Sequence, residues 1–416
     1  MVFRALKYRN FRVFFFGQSI SLIGTWMQYV AMSWLVYRMT NSAFMLGVVG
    51  FASQIPAFIL SPFTGVLADR HNRHKILLFT QALALLQALI LAILTMTGNI
   101  QVWHIIVMGI FLGCVNSLDI PARQSFILQM IEEKENLGNA IALNSMMFNM
   151  ARLIGPSIAG VLIAIAGEGV CFLINAISYV AVIVSLIAMD EGIKIRKDKK
   201  VDYDIFKDLK EGFNYAFGFQ PIRAILLLLG IIGLMGMSYA VLMPVFAKDV
   251  LGGGPYTLGF LMAAVGVGAL AGTVYLASRK KAIALGNTLP ISAGVFGIGI
   301  TAFPFSHNIV ISLLLLFIAG FGIMVQMAAS NTILQTIVDD DKRGRIMSFY
   351  TMAFMGMAPL GSLLAGGMAT RFGASNTLAI SGVCCIIAAV IFACRIPSLR
   401  KIVQPIYVKM GIVSEI

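Results

Sequence analysis

The strongest constraint on this chain is a series of apolar runs, each about 20 residues or longer, that follow one another along the whole sequence. A run of that length crosses a bilayer as an α-helix, because each residue adds about 1.5 Å of rise to a hydrocarbon core about 30 Å thick. Only 12% of the residues are charged, against about 25% in soluble domains. The sequence therefore predicts a polytopic membrane protein, and soluble enzymes, secreted disulfide scaffolds and disordered proteins are excluded.

The apolar runs fall into two groups of six, separated by a polar stretch from Glu191 to Gln220. The fold class predicted is all-α, with twelve transmembrane helices in two six-helix pseudo-repeats. We expect a bundle over 1–190, a cytoplasmic linker with an interfacial helix over 191–220, a second bundle over 221–396 and a cytoplasmic tail over 397–416. The predicted spans are 11–37, 44–67, 76–97, 102–119, 137–166, 170–190, 221–247, 256–278, 287–306, 308–330, 344–370 and 374–396.

The distribution of lysine and arginine gives the expected orientation. With twelve spans, 27 of the 31 basic residues lie on the side of the N-terminus, three lie on the opposite side, and Arg152 lies inside a span. Basic residues concentrate in cytoplasmic loops, so both termini are expected in the cytoplasm, with the protein in the cytoplasmic (inner) membrane. The concentration of lysine and arginine in cytoplasmic loops thus accounts for the net charge of +13. We expect a monomer that contacts membrane lipid and a small-molecule substrate, with no nucleic-acid partner.

The two halves repeat short elements at a spacing of about 200 residues. Gln129-x-Ile131 before the fifth span returns as Gln335-x-Ile337 before the eleventh, and Pro156 returns as Pro359. Repeats of several spans each are typical of secondary transporters, which bind substrate where the repeats meet.

A motif between the second and third spans resembles the signature of a known family. The segment Gly65-Val-Leu-Ala-Asp69-Arg70-His-Asn-Arg73-His-Lys75 resembles the signature loop of the major facilitator superfamily, which implies that Gly65, Asp69, Arg70 and Arg73 lock the cytoplasmic side. Gly65 is expected to permit close helix contact. Asn72 replaces the usual glycine, and asparagine tolerates the left-handed backbone of a tight turn. The alternative is a merely solvated basic turn.

A second resemblance lies in the fifth span. Arg152-Leu-Ile-Gly155-Pro156-Ser-Ile-Ala-Gly160 is similar to the Gly-Pro-x-x-x-Gly helix-packing element of exporters in this superfamily. Together with Asp119-Ile-Pro-Ala-Arg123 upstream, it resembles the branch that contains enterobactin exporters and macrolide efflux pumps. The specific motifs cover the N-terminal half, because the loop after the eighth span lacks the signature aspartate.

Polar side chains on the first span form the candidate substrate cavity. Gln18, Ser21, Thr25 and Gln28 are spaced three, four and three residues apart, which places them on one face of a helix. The resemblance implies that this face lines the central cavity, with Trp26 as a stacking surface. The alternative is hydrogen bonding between helices.

Two ionisable residues inside the spans complete the candidate site. Arg152 follows Ser145 and Asn149 on one stripe of the fifth span and either receives an anionic substrate group or pins the structure. Asp119 is the acid that lies within a span, and it forms either a gate pair with Arg123 or Arg70, or a proton-coupling site.

The motifs for ATP binding, metal binding and catalysis are missing from the sequence, which favours a secondary transporter. The chain contains no Gly-Lys-Ser/Thr, so we expect no ATP site, and no cysteine or histidine spacing indicates a metal, a cofactor or a catalytic residue. We expect a secondary transporter working by alternating access that exports an amphipathic, drug- or siderophore-like molecule as an antiporter, with proton coupling left open. The alternatives are an uptake or lysolipid-flipping carrier of the same fold and, from another class, a membrane-embedded lipid-modifying enzyme.

Overall fold

The computed structural model describes residues 4–131, 133–189, 205–278, 285–339 and 342–409. Within these residues the secondary structure is helical, with no strand. The helices are α1 (Arg9–Thr40), α2 (Ala43–Arg70), α3 (Arg73–Met96), α4 (Val102–Gln129), α5 (Lys134–Ala166), α6 (Glu168–Ile187), α7 (Ile205–Gly218), α8 (Gln220–Val250), α9 (Pro255–Ala277), α10 (Leu285–Ala302), α11 (Ile309–Ile337), α12 (Arg343–Phe372) and α13 (Ala374–Lys409).

The predicted all-α polytopic fold class is confirmed. Eleven helices in the described ranges are long and apolar enough to cross a membrane. The first predicted span is the 32-residue α1, which falls outside this set because its polar stripe lowers its hydropathy. Every predicted span coincides with one helix, and α7 is an additional helix in the linker.

Two helices extend well beyond the spans that their apolar runs predicted. α4 continues past residue 119 to Gln129 through Pro121, and α13 continues past residue 396 to Lys409 through Pro397 and Pro405. Hydropathy marks only the part of a helix that lies in hydrocarbon, so a polar helical extension is invisible to it. The extension of α4 places Asp119 inside the helix and not at its end.

The chain forms two compact units. The first unit contains residues 1–200 together with 243–263, and the second contains 201–242 together with 264–416. The end of α8 and the start of α9 therefore belong to the first unit, although they lie beyond residue 221 in the sequence. The division into bundles at 190 and 221 remains a prediction, and most of the linker before Ile205 lies outside the described residues.

A buried apolar cluster that includes several phenylalanine rings, hereafter the aromatic core, joins the ends of α1, α3 and α4 in the first unit. Phe11, Phe14, Leu77 and Phe126 are each at most 1% exposed, and the rings of Phe14 and Phe126 meet edge to face with centroids 6.1 Å apart. Burying apolar side chains of this size stabilises the packing of these helix ends against one another.

An ion pair lies on the surface beside this aromatic core. The ammonium of Lys7 donates to Glu133 at 2.9 Å, and this hydrogen bond lowers the pKa of Glu133 and raises the pKa of Lys7. The contribution of the carboxylate to folding is present above the unfolded pKa of glutamate. That contribution is lost as the pH falls through the lowered folded value.

In the second unit, close packing of α9 on α11 involves Gly268 and Gly272. A Cβ atom on Gly268 would collide with the carbonyl oxygen of Phe317, and one on Gly272 would lie 2.9 Å from that of Phe321. The Gly268-to-Gly272 spacing is therefore a small-xxx-small helix contact.

Candidate transport site

Arg152 lies half-buried on α5, beside an aromatic cluster of the first unit. Its guanidinium carbon is 5.8 Å from the centre of the Trp26 ring on α1, a cation–π distance. The Trp26 ring also contacts Phe148 at 5.8 Å and Tyr29 at 6.0 Å, both edge to face. The structure thus places Trp26 and Arg152, which were predicted as site residues, in contact with each other.

Gly155 explains how α1 comes so near to α5. A Cβ atom on Gly155 would lie 2.5 Å from the Cβ of Trp26 and 2.9 Å from the carbonyl oxygen of Ile23. Only glycine permits this approach, and the approach places the Trp26 ring over Arg152, less than one helical turn from Gly155. The first glycine of the Gly-Pro-x-x-x-Gly element therefore shapes the candidate site as well as packing a helix.

Sequence reasoning missed Tyr29 and Phe148 as members of this site. Phe148 lies three residues after Ser145 and four residues before Arg152, at helical spacing from both. Its position on the same helix face as these polar residues could have predicted that Phe148 belongs to the site. Asn149 is 9% exposed, and its amide donates to the carbonyl oxygen of Ser145 on its own helix at 2.9 Å.

Gln28 belongs to a buried chain of amides that joins three helices. Its Nε2 donates to Oε1 of Gln87 on α3 at 2.9 Å, and its Oε1 accepts from Nδ2 of Asn175 on α6 at 2.8 Å. All three residues are at most 2% exposed. In this structure Gln28 therefore makes the interhelical hydrogen bonds that were weighed as the alternative to a cavity position.

The hydrogen bonds of Gln28 predict a loss of stability when the amide is removed. Each interhelical hydrogen bond in a membrane protein contributes about 0.6 kcal/mol on average and up to about 2 kcal/mol. Gln28→Leu breaks two such bonds and leaves Gln87 and Asn175 without their partner, so we expect a lower melting temperature in detergent. Gln54→Leu is the matched control, because within the described part of the chain the amide of Gln54 donates to the carbonyl oxygen of Gly50 on its own helix and to no other helix. Equal melting temperatures for the two variants would contradict the prediction.

The other polar residues of the α1 stripe, Gln18, Ser21 and Thr25, face inward as well. Gln18 is 3% exposed, and its Oε1 is buried with no hydrogen-bond partner among the described residues. The hydroxyl of Thr25 donates to the carbonyl oxygen of Ser21 at 2.9 Å and lies 3.4 Å from the hydroxyl of Tyr179 on α6. The stripe thus points into the first unit, whereas the adjacent Trp26 contacts α5.

Asp119 sits in a buried polar cluster between α3 and α4. Its Oδ1 accepts from the hydroxyl of Thr80 at 2.9 Å and from the amide of Gln81 at 2.8 Å, while its Oδ2 lies 3.7 Å from Nε of Arg123. Asp119 is 4% exposed. The geometry brings together the predicted pair Asp119 and Arg123 and adds Thr80 and Gln81, neither of which was predicted as a site residue.

The signature loop differs from its expected geometry at Asn72. Asn72 has φ −67° and ψ 110° and is not left-handed; its side chain caps α3 by accepting from the backbone N–H groups of His74 and Lys75. A Cβ atom on Gly65 would meet no described atom within 4 Å. The left-handed turn at Asn72 was therefore wrong, because α2 runs to Arg70 and α3 begins at Arg73 with one short turn between them that Asn72 caps. The close-contact role of Gly65 stays a prediction, since no described residue packs against it.

The gating role of this loop remains a prediction. Arg70 is exposed at the end of α2, and Arg73 opens α3. The side chain of Asp69 lies outside the described residues.

Gly160, the second glycine of the helix-packing element, contacts a different helix from Gly155. A Cβ atom on Gly160 would lie 2.8 Å from the carbonyl oxygen of Pro255 and 3.1 Å from the Cα of Gly259, at the start of α9. In turn, a Cβ atom on Gly259 would lie 2.7 Å from the carbonyl oxygen of Pro156. The element therefore holds α5 against α1 at one glycine and against α9 at the other.

Comparison with known proteins agrees with this architecture. The chain is 31% identical to the staphyloferrin A transporter of Staphylococcus aureus, over 91% of this chain and 94% of the relative. It is 22% identical to macrolide efflux protein A of Streptococcus pyogenes, over 92% and 96% respectively.

A solved structure shows the same fold. The crystal structure of a bacterial homolog of the human lysosomal transporter Spinster, in an inward-facing and unoccupied conformation, matches with a TM-score of 0.73. It shares 14% identity, and the match covers 94% of this chain and 98% of that one. The transmembrane secretion effector family matches residues 2–405, nearly the whole length of the twelve spans. The chain is therefore a major facilitator transporter and belongs to the transmembrane secretion effector family.

Proposed function

We propose that this transporter exports an amphipathic small molecule with an anionic group, and that Arg152 and Trp26 bind it. The observation that supports the proposal is the half-buried guanidinium of Arg152, in the middle of a spanning helix, with its carbon 5.8 Å from the Trp26 ring. Cationic side chains are costly inside a membrane and mark substrate or ion pathways when they occur there.

The chemistry of the cluster favours a substrate with both polar and apolar parts. Guanidinium binds carboxylate or phosphate groups through two parallel hydrogen bonds. Trp26, Tyr29 and Phe148 offer apolar ring surface at the same place. An anionic group at Arg152 with an apolar body against these rings satisfies both features.

Export is supported by the family and by two observations on α5. The family description refers to secretion, and one relative is named as an efflux protein. Gly155 and Gly160 both make close helix contacts in the first unit, which suits the packing role of the exporter element. The relative named as a staphyloferrin A transporter suggests a siderophore-like substrate class, and the efflux relative suggests a drug-like one.

The placement in the membrane is part of the same proposal. Both termini and the linker face the cytoplasm because 27 of 31 basic residues lie on that side. The protein works as a monomer in the cytoplasmic membrane, in contact with lipid.

Transport in oriented vesicles tests the proposal. Inside-out vesicles that contain the protein should accumulate at least one compound from a panel of staphyloferrin A, enterobactin, a macrolide and a lysolipid, whereas empty vesicles should not. Accumulation only in right-side-out vesicles would show uptake. Activity on the lysolipid alone would show lipid flipping.

Arg152→Lys tests the site itself. Lysine keeps the charge but cannot form planar two-point hydrogen bonds, and losing one hydrogen bond to a charged group costs about 1.5–3 kcal/mol. We therefore expect the Michaelis constant for the transported compound to rise about tenfold or more, with normal yield and melting temperature.

The matched control is Arg371→Lys at the exposed end of α12, which should leave transport unchanged. A normal Michaelis constant combined with poor folding of Arg152→Lys would assign Arg152 to structure. Normal transport by Arg152→Ala, with normal yield, would overturn both roles.

A further inference from the structure

A cavity of about 270 Å³ lies between α7, the helix of the linker, and the N-terminal end of α12. Its wall includes Glu211, Asn214 and Tyr215 from α7, and Lys342 and Arg345 from the start of α12. All of these residues belong to the second unit, whereas the candidate transport site belongs to the first. The cavity is therefore built from residues that the transport site does not use.

Small and aromatic side chains hold α7 against α12. A Cβ atom on Gly212 would lie 3.0 Å from Cε2 of Phe349 and 3.3 Å from Cβ of Arg345. The ring of Phe213 stacks on Phe217 with centroids 4.4 Å apart and lies 6.3 Å from the ring of Phe349. Phe213 is nevertheless 50% exposed. The helix thus packs on α12 and leaves part of an aromatic face uncovered next to the cavity.

The length of α12 places the cavity in the headgroup layer of the membrane. The helix has 30 residues, which is about 45 Å, and a bilayer with its headgroups is about 40–45 Å thick. Its first turn therefore lies among the headgroups, and on the topology proposed above this is the cytoplasmic leaflet. An aromatic face on a short helix at this depth is typical of an interfacial helix.

The two cationic side chains of the cavity each meet one carboxylate. Nη1 of Arg345 donates to Oε2 of Glu211 at 2.8 Å, and Nζ of Lys342 lies 3.4 Å from Oδ2 of Asp339. The four side chains are between 36% and 65% exposed. Ion pairs at such exposure are weak, so either cation can exchange its carboxylate for a stronger anionic ligand while the protein stays folded.

Neutral donors stand beside these cations. The ring of Tyr215 lies 4.4 Å from Nζ of Lys342, and its hydroxyl donates to Oδ2 of Asp339 at 3.3 Å. Burial raises the pKa of Tyr215, so this hydroxyl keeps its proton and remains a donor at neutral pH. The side chain of Asn214 is exposed and adds an amide. An ammonium, a guanidinium, a phenol and an amide from two helices thus line one cavity.

From this arrangement we propose that the cavity binds the phosphate ester of a membrane lipid headgroup. Lys342 and Arg345 supply the positive charge, and Tyr215 and Asn214 donate further hydrogen bonds; these four residues are hereafter the headgroup site. A guanidinium binds phosphate through two parallel hydrogen bonds, and basic pockets on the cytoplasmic side of membrane proteins bind lipid headgroups. The headgroup site goes beyond the proposed transport function and does not rest on it.

The surroundings of the site favour a lipid with a net negative headgroup. Among the described residues, the wall of the cavity carries two cations and one carboxylate, so positive charge is in excess. The partly uncovered ring of Phe213 offers apolar surface to the acyl chains next to the phosphate. A soluble phosphate ester shares the phosphate chemistry but cannot use this surface.

Thermal unfolding of the full-length protein in detergent tests the headgroup site. A ligand that binds the folded state raises the melting temperature in a saturable way. The probes are dihexanoyl phosphatidylglycerol, dihexanoylglycerol, which lacks the phosphate, and glycerol phosphate, which lacks the acyl chains. We expect phosphatidylglycerol to act at a concentration about tenfold or more below that of glycerol phosphate, because its chains bury apolar surface. Dihexanoylglycerol should give no saturable shift.

Two substitutions in one ion pair separate ligand binding from structure. Arg345→Gln removes charged hydrogen bonds to the phosphate, so the half-maximal concentration of phosphatidylglycerol should rise about tenfold or more. Glu211→Gln removes a carboxylate that competes for Arg345, so this concentration should fall. Tyr215→Phe should raise it severalfold. Arg400→Gln removes an exposed cation at the end of α13 and is the matched control, which should bind as the wild type does.

Each contrary outcome has a definite meaning. If Glu211→Gln and Arg345→Gln shift the half-maximal concentration in the same direction, or not at all, the pair is only structural and the inference is overturned. An equal effect of Arg400→Gln would also overturn it, because any surface cation would then suffice. Equal potency of glycerol phosphate would overturn a membrane lipid as the source of the phosphate. Binding is measured without transport, so a failure of the proposed role of Arg152 leaves this result intact.

Discussion

Replacing Asp119 with leucine is expected to cause a large loss of stability. The carboxylate accepts hydrogen bonds from Thr80 and Gln81 and lies 3.7 Å from the guanidinium of Arg123, whose side chain is 19% exposed. Removing one partner of a buried charge pair costs about 3–5 kcal/mol. We expect little folded protein and a strongly lowered melting temperature in detergent.

Asp119→Asn separates a structural role from proton coupling. The amide still offers an oxygen to Thr80 and Gln81 but leaves the charge of Arg123 uncompensated. For a gate pair we therefore expect the stability to lie between those of the wild type and Asp119→Leu. If Asp119 is instead the coupling carboxylate, Asp119→Asn will fold normally and lose only transport driven by a pH gradient.

A surface carboxylate serves as the control for both substitutions. The side chain of Asp339 is 65% exposed and lies 3.4 Å from the ammonium of Lys342. Exposed pairs of this kind contribute only about 0–1 kcal/mol, so Asp339→Leu should fold and melt nearly as the wild type does. An equal loss for Asp339→Leu and Asp119→Leu would show that burial of Asp119 is not the cause.

The positions of the spans were predictable because a spanning helix requires apolar residues that are consecutive in the sequence. A helix in lipid must present apolar side chains for about 20 consecutive residues. Each span therefore corresponds to an uninterrupted apolar run in the sequence. The C-terminal ends of α4 and α13 could not be predicted in this way, because both helices continue beyond the apolar run.

The face of a polar stripe was not predictable in the same way. The spacing of Gln18, Thr25 and Gln28 shows that they share one face, but a polar face suits a cavity and a neighbouring helix equally well. The partners Gln87 and Asn175 lie 59 and 147 residues away from Gln28. Only the packing of α1 on α3 and α6 decides between the two.

The hydrogen bond from the Tyr37 hydroxyl at the end of α1 to the Asp249 carboxylate at the end of α8 shows the same limit. Tyr37 and Asp249 are 212 residues apart, and neither belongs to a local motif. The available signal was the small number of charges outside the membrane, which makes each of them informative. Sequence reasoning used those charges for topology alone.

Gly160→Leu is expected to abolish transport while the chain still inserts in the membrane. At this crossing the Cβ atom of even an alanine would lie 2.8 Å from the carbonyl oxygen of Pro255 and 3.1 Å from the Cα of Gly259. Both neighbours are backbone, so α5 and α9 must move apart to admit the side chain. Overpacking of this kind costs about 1–3 kcal/mol in protein cores. Melting temperature in detergent and transport in proteoliposomes measure the two effects.

Gly138 provides a control on the same helix. A Cβ atom there meets no atom of the described residues within 4 Å, so Gly138→Leu should leave transport intact and raise helix stability by up to about 1 kcal/mol. Gly259→Leu approaches the same crossing from α9, and its effect should combine with that of Gly160→Leu less than additively, since one side chain already separates the helices. Normal transport by Gly160→Leu would show that transport does not require the close contact between α5 and α9 at Gly160. A fully additive loss of stability in the double variant would show that Gly160 and Gly259 do not act through the same contact.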